Sequence, residues 1–449
     1  MPSQTASRRA PSAPARAQAA PPAQNAPGDV TVRIRPRPGL LGPVRLSQLI
    51  VVEAVAAAVL IGWVHGRIAL IVGGAIGVLL LIAALLRFGG LPLGDSMRAR
   101  AALKNRTRRA ASAPQGPDVD PALAPVLECE PALRVVQHTI EADGVGTVRR
   151  DRREIGMVGD GTFLSAVIQI EAPDRPLRPV PGTVSLPLDL LAEGLRADDV
   201  VVDSVQLVQY AQPAPAPHLP EQALASRAYR ELPHGATTPG LRMTWVSVRL
   251  DPELCRSAVA ARGGGELGAR KALQRAVDQL ASRLSATGLR ATVLDAAQVT
   301  SAIATATCPN PVTTTQGRGA NAGQAAAAGA VARRTAETAK AWRCDDRWHR
   351  TYWVGQWPHL GPQTTPELVN LLTGTPVLGS SFALTLRQAG TGAVALSGHI
   401  RVIARGESEL TAAARQLETR ARSAGAGLVR LELEQVPGVL ATLPLGGTR

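Results

Sequence analysis

Two apolar runs set back to back near the N-terminus restrict this chain more than any other feature. Leu46–Val64 and Ile68–Leu86 are each 19 residues long, against about 20 for a helix that crosses the hydrocarbon core of a bilayer. Only His65-Gly66-Arg67 separates them, so two such helices must run antiparallel. A buried hairpin in a soluble core is the alternative, but soluble cores seldom supply two such runs in succession. The spacing predicts a transmembrane helical hairpin over 46–86.

The net charge of +14 invites a nucleic-acid reading. Its distribution points elsewhere. Residues 1–45 carry seven Arg against one Asp, and 87–109 carry six Arg and Lys104 against Asp95. Everything beyond 109 is close to neutral. The basicity therefore flanks the apolar block, whereas a nucleic-acid-binding domain carries its own basic face. Lys and Arg on both outer flanks, with Arg67 alone in the loop, predict that both termini are cytoplasmic. The four cysteines, Cys129, Cys255, Cys308 and Cys344, are dispersed without CxxC spacing and suit a reducing compartment.

Within the runs, Ala54, Ala58 and Gly62 recur on one helical face, and Gly73 and Gly77 form a GxxxG. Small residues at this spacing let helix backbones approach closely. Glu53 lies near the middle of the first run, where a carboxylate is costly unless paired. Residues 1–45, with nine Pro, are expected to be a disordered tail. No cleaved signal peptide is expected, because the apolar stretch starts late and a second follows it. Residues 87–125 read as a basic juxtamembrane segment and Pro-rich linker, with Arg98–Arg109 helical at the headgroup surface.

From about Val126 to the end the pattern is that of a cytosolic α/β (α+β) domain, 126–449. Asp160-Gly161 between Ile155–Val158 and Phe163–Ile170 predicts a β-hairpin. Val200–Tyr210 is strand-like. Two later segments share one plan. Met243–Leu250 is strand-like; a helix follows with Leu273, Val277, Leu280 and Leu284 on one face; Gly288 stops it and Leu289–Leu294 returns as a strand. Val394–Ile403, a helix with Leu410, Ala413, Ala414, Leu417 and Ala421 on one face, Gly425 and Leu428–Leu433 repeat the order. Two strand–helix–strand units imply a sheet with helices packed on it. Residues 309–334 read as a flexible Ala/Gly-rich insertion, and their Ala content favours a helix over Gly323–Lys340.

The motifs of common enzyme chemistry are missing: there is no Walker A, HExxH or GxSxG sequence. Gly263-Gly264-Gly265-Glu266-Leu267-Gly268 matches GxGxxG, with Asp295 as a tempting ribose ligand. A dinucleotide fold needs a strand directly before those glycines, and Pro252–Ala261 reads as a helix. His349 and His359, with Cys344, Asp345 and Asp346 nearby, match no metal-ligand spacing. No catalytic residue, cofactor or metal is expected. The segment Trp342–Trp357 holds four of the six Trp of the chain. Trp342, Trp348, Tyr352, Trp353 and Trp357 are candidates either for the core or for a partner interface.

Three features in this order resemble the EccE family of actinobacterial type VII (ESX) secretion systems. They are the two-run anchor with basic flanks, the segment W…W-H-x-T-Y-W-V-x-x-W-P from Trp342 to Pro358, and E-Q-x-P-G-V-L-A-T-L-P-L-G-G from Glu434 to Gly447. Leu433 departs from the Gly that the family pattern leads one to expect before Glu-Gln. The resemblance implies a non-enzymatic subunit of an inner-membrane translocon, associating with EccB, EccD and the EccC ATPase and contributing to assembly or stability, with no nucleic-acid partner. A membrane-tethered enzyme of the glycosyltransferase kind, or a membrane-surface nucleic-acid binder, are the rival classes. The first would need paired carboxylates at strand ends, and none stands out.

Overall fold

The computed structural model describes residues 31–34, 40–41, 44–45, scattered positions between 53 and 77, and then 87–88, 91–111, 120–141, 152–173, 185–213, 222–224, 227–228, 239–313, 333–361, 364–390 and 393–447. Most of the two apolar runs, and 314–332 of the expected insertion, lie outside the described residues. Among the described residues no helix is long and apolar enough to cross a membrane.

One predominantly antiparallel sheet organises the domain. Its strands are β1 (Arg134–Glu141), β2 (Arg152–Gly159), β3 (Leu164–Glu171), β4 (Ser204–Pro213), β5 (Pro239–Leu250), β6 (Arg290–Val293), β7 (Thr335–Glu337), β8 (Trp342–Cys344), β9 (Arg347–Gln356), β10 (Gly379–Gln388), β11 (Ala393–Ala404) and β12 (Gly427–Arg430). The order across the sheet is β1-β2-β3-β5-β4-β10-β11-β9-β8-β7, with β6 paired to β3 and β12 to β9. The short strand Thr31–Ile34 adds in parallel to the first residues of β11. The helices are α1 (Leu93–Ala111), α2 (Ala124–Cys129), α3 (Leu188–Glu193), α4 (Arg256–Ala261), α5 (Gly265–Ala286), α6 (Ala296–Thr307), α7 (Thr364–Thr373), α8 (Glu407–Ser423) and α9 (Gln435–Ala441).

Outward from the β4–β10 seam, the two halves of the sheet follow one order of elements. Each half runs hairpin, short helix, two long strands, long helix, short edge-filling strand, helix. These are β2, β3, α3, β4, β5, α5, β6 and α6 in the first half, and β8, β9, α7, β10, β11, α8, β12 and α9 in the second. The seam pair is antiparallel, Val208 opposite Ala383, so the halves are related by a pseudo-two-fold through it. The long helices share a pattern of five buried positions. Leu273, Ala276, Val277, Leu280 and Leu284 of α5 are buried, and so, at identical spacing, are Leu410, Ala413, Ala414, Leu417 and Ala421 of α8. Each helix ends on a glycine with positive φ, Gly288 at +87° and Gly425 at +73°, a conformation that costs an L side chain but not glycine.

The sheet is covered on both faces. Val246, Val248 and Leu250 of β5, and Ile400, Val402 and Ala404 of β11, pack with α5 and α8. Trp245, Val208, Tyr210 and Ile403 face the other way, against α6 and the C-terminal Leu443 and Leu445. Both faces of the central strands are therefore buried, and their alternation alone does not identify an outer face.

The expected hairpin forms: Asp160 Oδ1 accepts from the Thr162 and Phe163 amides and Gly161 takes φ +93°. Two expectations need correction. The strand assigned to Val200–Tyr210 starts at Ser204, after the small hairpin Arg196–Ala197/Val200–Val201. Residues 335–337, placed in a helix by their Ala-rich context, form strand β7. Its edge is claimed by the Glu128 carboxylate of α2, which accepts from the Arg334 and Thr335 amides at 2.9 Å, so tertiary demand overrides propensity. The basic stretch 98–109 is helical as expected, and α1 docks on the domain through one face.

Candidate functional site

The aromatic segment is the hairpin of β8 and β9, built into the sheet, with Trp357 just past its end. Trp342 and Tyr352 are fully buried, and Trp348, Trp353 and Trp357 are partly buried. The Trp342 ring stands edge-on to His349 at 4.8 Å. Tyr352 donates to Glu418 of α8 at 3.0 Å, and that carboxylate also takes Arg430 at 2.7 and 2.9 Å. The two donors hold Glu418 below the usual carboxylate range, Arg430 first and Tyr352 with it. Trp357 lies over β11 where Gly398 leaves room: a Cβ there would meet its ring at 2.3 Å. The segment thus supplies both core and a partly exposed aromatic margin.

A cationic cluster lies on the other face of the same strands. Arg401 and His349 are both fully buried. Arg401 Nη2 donates to the carbonyl of Ala306 and to Ser381 Oγ, the latter at 3.2 Å. Arg347 Nη1 reaches the carbonyl of Cys308 at 3.2 Å. Ala306 and Cys308 are the last turn and C-cap of α6, and Cys308 has φ +55°. Two guanidinium groups therefore meet the negative end of a helix, where unsatisfied carbonyls concentrate. Burial pulls the Arg401 guanidinium down to about 10, so it remains charged at neutral pH. His349 is held well below the ordinary imidazole range by burial, then by Arg401 and Arg347.

The C-terminal motif is a clamp across the seam. Gly446 N donates to Gln206 Oε1 at 2.8 Å, Ser204 Oγ donates to Gly446 O at 2.6 Å, and Gln206 Nε2 donates to Ala441 O at 2.8 Å. Arg249 donates to Gly447 O. These partners belong to the first half, while the tail belongs to the second. The final glycines are required sterically: a Cβ on Gly446 would meet Arg249 at 2.5 Å, and one on Gly447 would meet Thr385 at 2.7 Å.

Arg106 of α1 forks onto Glu337 with two 2.9 Å contacts and donates to Leu433 O at 2.6 Å. Glu337 also accepts from Val436 N, at the start of α9, at 2.9 Å. One carboxylate thus joins the helix that follows the apolar runs to the start of the C-terminal motif. No sequence motif flagged Glu337 or Arg106. Leu433, flagged as a departure from the family pattern, lies at φ +66°, a region that suits glycine.

The other candidate groups serve the fold. Gly263, Gly264 and Gly265 all have positive φ and turn the chain between α4 and α5. A Cβ on Gly268 would meet Val259 O at 2.4 Å, so that glycine permits close helix packing. Asp295 caps α6 in a capping box with Gln298. Asp345 pairs with Arg334 at 2.8 Å, while His349 is buried and His359 exposed. Among the described residues no group of His, Cys, Asp and Glu could hold a metal. All four cysteines are free thiols, and burial pushes Cys129 up to about 12. Ala54, Ala58, Gly62 and Gly73 lie outside the described residues. Glu53 is an exposed helical residue, and Gly77 is buried with Val55 Cγ1 3.0 Å from where its Cβ would stand.

The described domain is thus an α+β fold of two like halves with a basic helix fastened to one corner. Residues 238–354 match the EccE family model, described as a type VII ESX secretion system translocon. The match runs from β5 through α4, α5 and α6 into the aromatic strand β9, roughly a quarter of the chain. It includes Trp342, Trp348, Tyr352 and Trp353. No curated protein matches the chain.

Proposed function

We propose that this chain is a non-catalytic membrane subunit of a type VII (ESX) protein secretion translocon, acting in assembly or stability of the inner-membrane complex. The match over 238–354 carries the reading. In this reading Asp295 serves as a helix cap, and Glu337, Asp345 and Glu418 serve as ion-pair partners within the fold. The anchor is the hairpin 46–64/68–86 with both termini cytoplasmic. Its described helical residues Leu60, Ile61, Trp63, Val64, Ile68 and Ile71 are 62–81% exposed, an apolar surface that suits lipid or protein rather than water. EccB, EccD and the EccC ATPase are the partners in this reading, and Glu53 faces one of them inside the bilayer.

Purification of the tagged full-length chain in mild detergent, with identification of what accompanies it, tests the reading. An FtsK-like ATPase and a multi-span protein are expected. A monodisperse lone chain would sink the proposal.

A further inference from the structure

The face that α1 turns away from the domain carries five exposed basic side chains. One stripe of the helix is used for docking: Ala99 and Ala110 are buried, Ala102 and Leu103 are half-buried, and Arg106 engages Glu337. These positions recur every three to four residues, a single helical face. Arg98, Arg100, Lys104, Arg108 and Arg109 stand exposed on the rest of the circumference. Glu130 is one acidic group that feels the charge of Arg109. The chain beyond this helix is nearly neutral in sum, whereas a nucleic-acid-binding domain carries its own basic face.

Position selects the partner. Seven residue steps separate Leu86, the end of the second apolar run, from Leu93, the start of α1, which is at most about 25 Å of extended chain. The paired Arg87–Phe88 and Leu91–Pro92 fold this link back on itself and shorten it. With the hairpin inserted, α1 starts within reach of the bilayer surface. We infer that the outward face of α1 is a binding surface for anionic lipid headgroups. The Arg106–Glu337 pair makes it part of the domain, so lipid contact holds the β7–β8 corner against the membrane. This rests on the hairpin reading above. It differs from a flexible polybasic tether, which would leave the domain free to rotate.

The test uses the full-length chain in nanodiscs, of phosphatidylcholine alone or with about one-third phosphatidylglycerol, carrying headgroup spin-labelled lipid as quencher. A fluorophore on Asn105→Cys reports the outward face of α1, and one on Lys271→Cys, exposed on α5, serves as reference. At least twofold stronger quenching at 105 than at 271 is expected in anionic discs. It should fall to the reference level in 0.5 M salt, in neutral discs, and when Arg98, Arg100, Lys104 and Arg108 are replaced by Gln. Equal quenching at 105 in anionic and neutral discs would overturn the inference, as would tRNA displacing the helix from anionic discs. A chain that leaves the discs on alkaline washing fails the hairpin reading. One that stays but shows no lipid-dependent quenching fails this inference alone.

Discussion

Leu433 holds a left-handed backbone, φ +66°, which costs an L residue about 1–2 kcal/mol relative to glycine. It is kept there by three anchors: its amide donates to Ala339 O at 2.7 Å, its carbonyl receives Arg106, and Gln435 follows fully buried. A glycine at this position would hold the same backbone without that strain. Leu433→Gly is expected to stabilise the protein by about 1 kcal/mol, less a little for the freer unfolded chain, and to raise the urea midpoint. A lowered midpoint would mean that the packing of the leucine outweighs its strain. Arg401 and His349 predict a pH dependence. Buried His349 stays neutral in the folded protein well below the ordinary imidazole range, while in the unfolded chain it gains a proton near pH 6.5. Below that value the unfolded state binds more protons, so stability is complete above about pH 6.5 and falls as the pH drops toward 5. Urea midpoints between pH 7 and 5 should show that slope, and His349→Gln should flatten it. In the sequence His349 stood out only beside a metal-ligand pattern it does not fit, and Arg401 did not stand out, because it occupies an alternating strand position that would face water if α6 did not cover it.

Helices and turns were the legible elements. The apolar spacing on α5 and α8, their glycine stops and the Asp160-Gly161 turn follow from local sequence, and the structure has each. Strand β7 was not legible, since its Ala-rich surroundings favour a helix and only the pairing with β8 and the Glu128 carboxylate make it a strand. The docking of α1 was hidden for a similar reason. Its basic residues read as one solvated run, and nothing local separates Arg106, which points inward, from Arg108, which does not. The bidentate pair with Glu337, whose side chain is 3% exposed, belongs to the stronger class of charge-assisted contacts. Glu337→Gln removes its charge and leaves Arg106 without a counterion. The helix should then detach more often, giving at least tenfold faster hydrogen exchange over 93–111 with little change in β3 or β5. Unchanged exchange in α1 would show that Ala99, Leu103 and Ala110 suffice to hold it.

At the scale of the molecule, the repeated strand–helix–strand plan was visible, but the mirrored strand order was not. That order depends on β4 meeting β10 across about 180 residues of chain, and no local pattern encodes it. Two halves joined only by a strand pair could open independently, as neighbouring repeats do when their interface is weak. The C-terminal tail opposes this. It leaves the second half, crosses the seam, and is gripped by Ser204, Gln206 and Arg249 of the first. Phe163 supports the grip, with the Arg249 guanidinium 3.7 Å above its ring. The motif Glu434–Gly447 is accordingly read as a lock on the fold, and its last glycines as the points where no side chain fits. Gly446→Val places a branched side chain at φ +86° against Arg249, combining backbone strain with overpacking at a total cost of about 3 kcal/mol. If the tail is the lock, amide protection should fall together in β3 and β5 of the first half and in β9 and β11 of the second, with unfolding still a single transition at a lower midpoint. Loss of protection confined to residues 441–447, with both halves as stable as before, would show instead that the β4–β10 seam and the two helix layers hold the molecule together unaided.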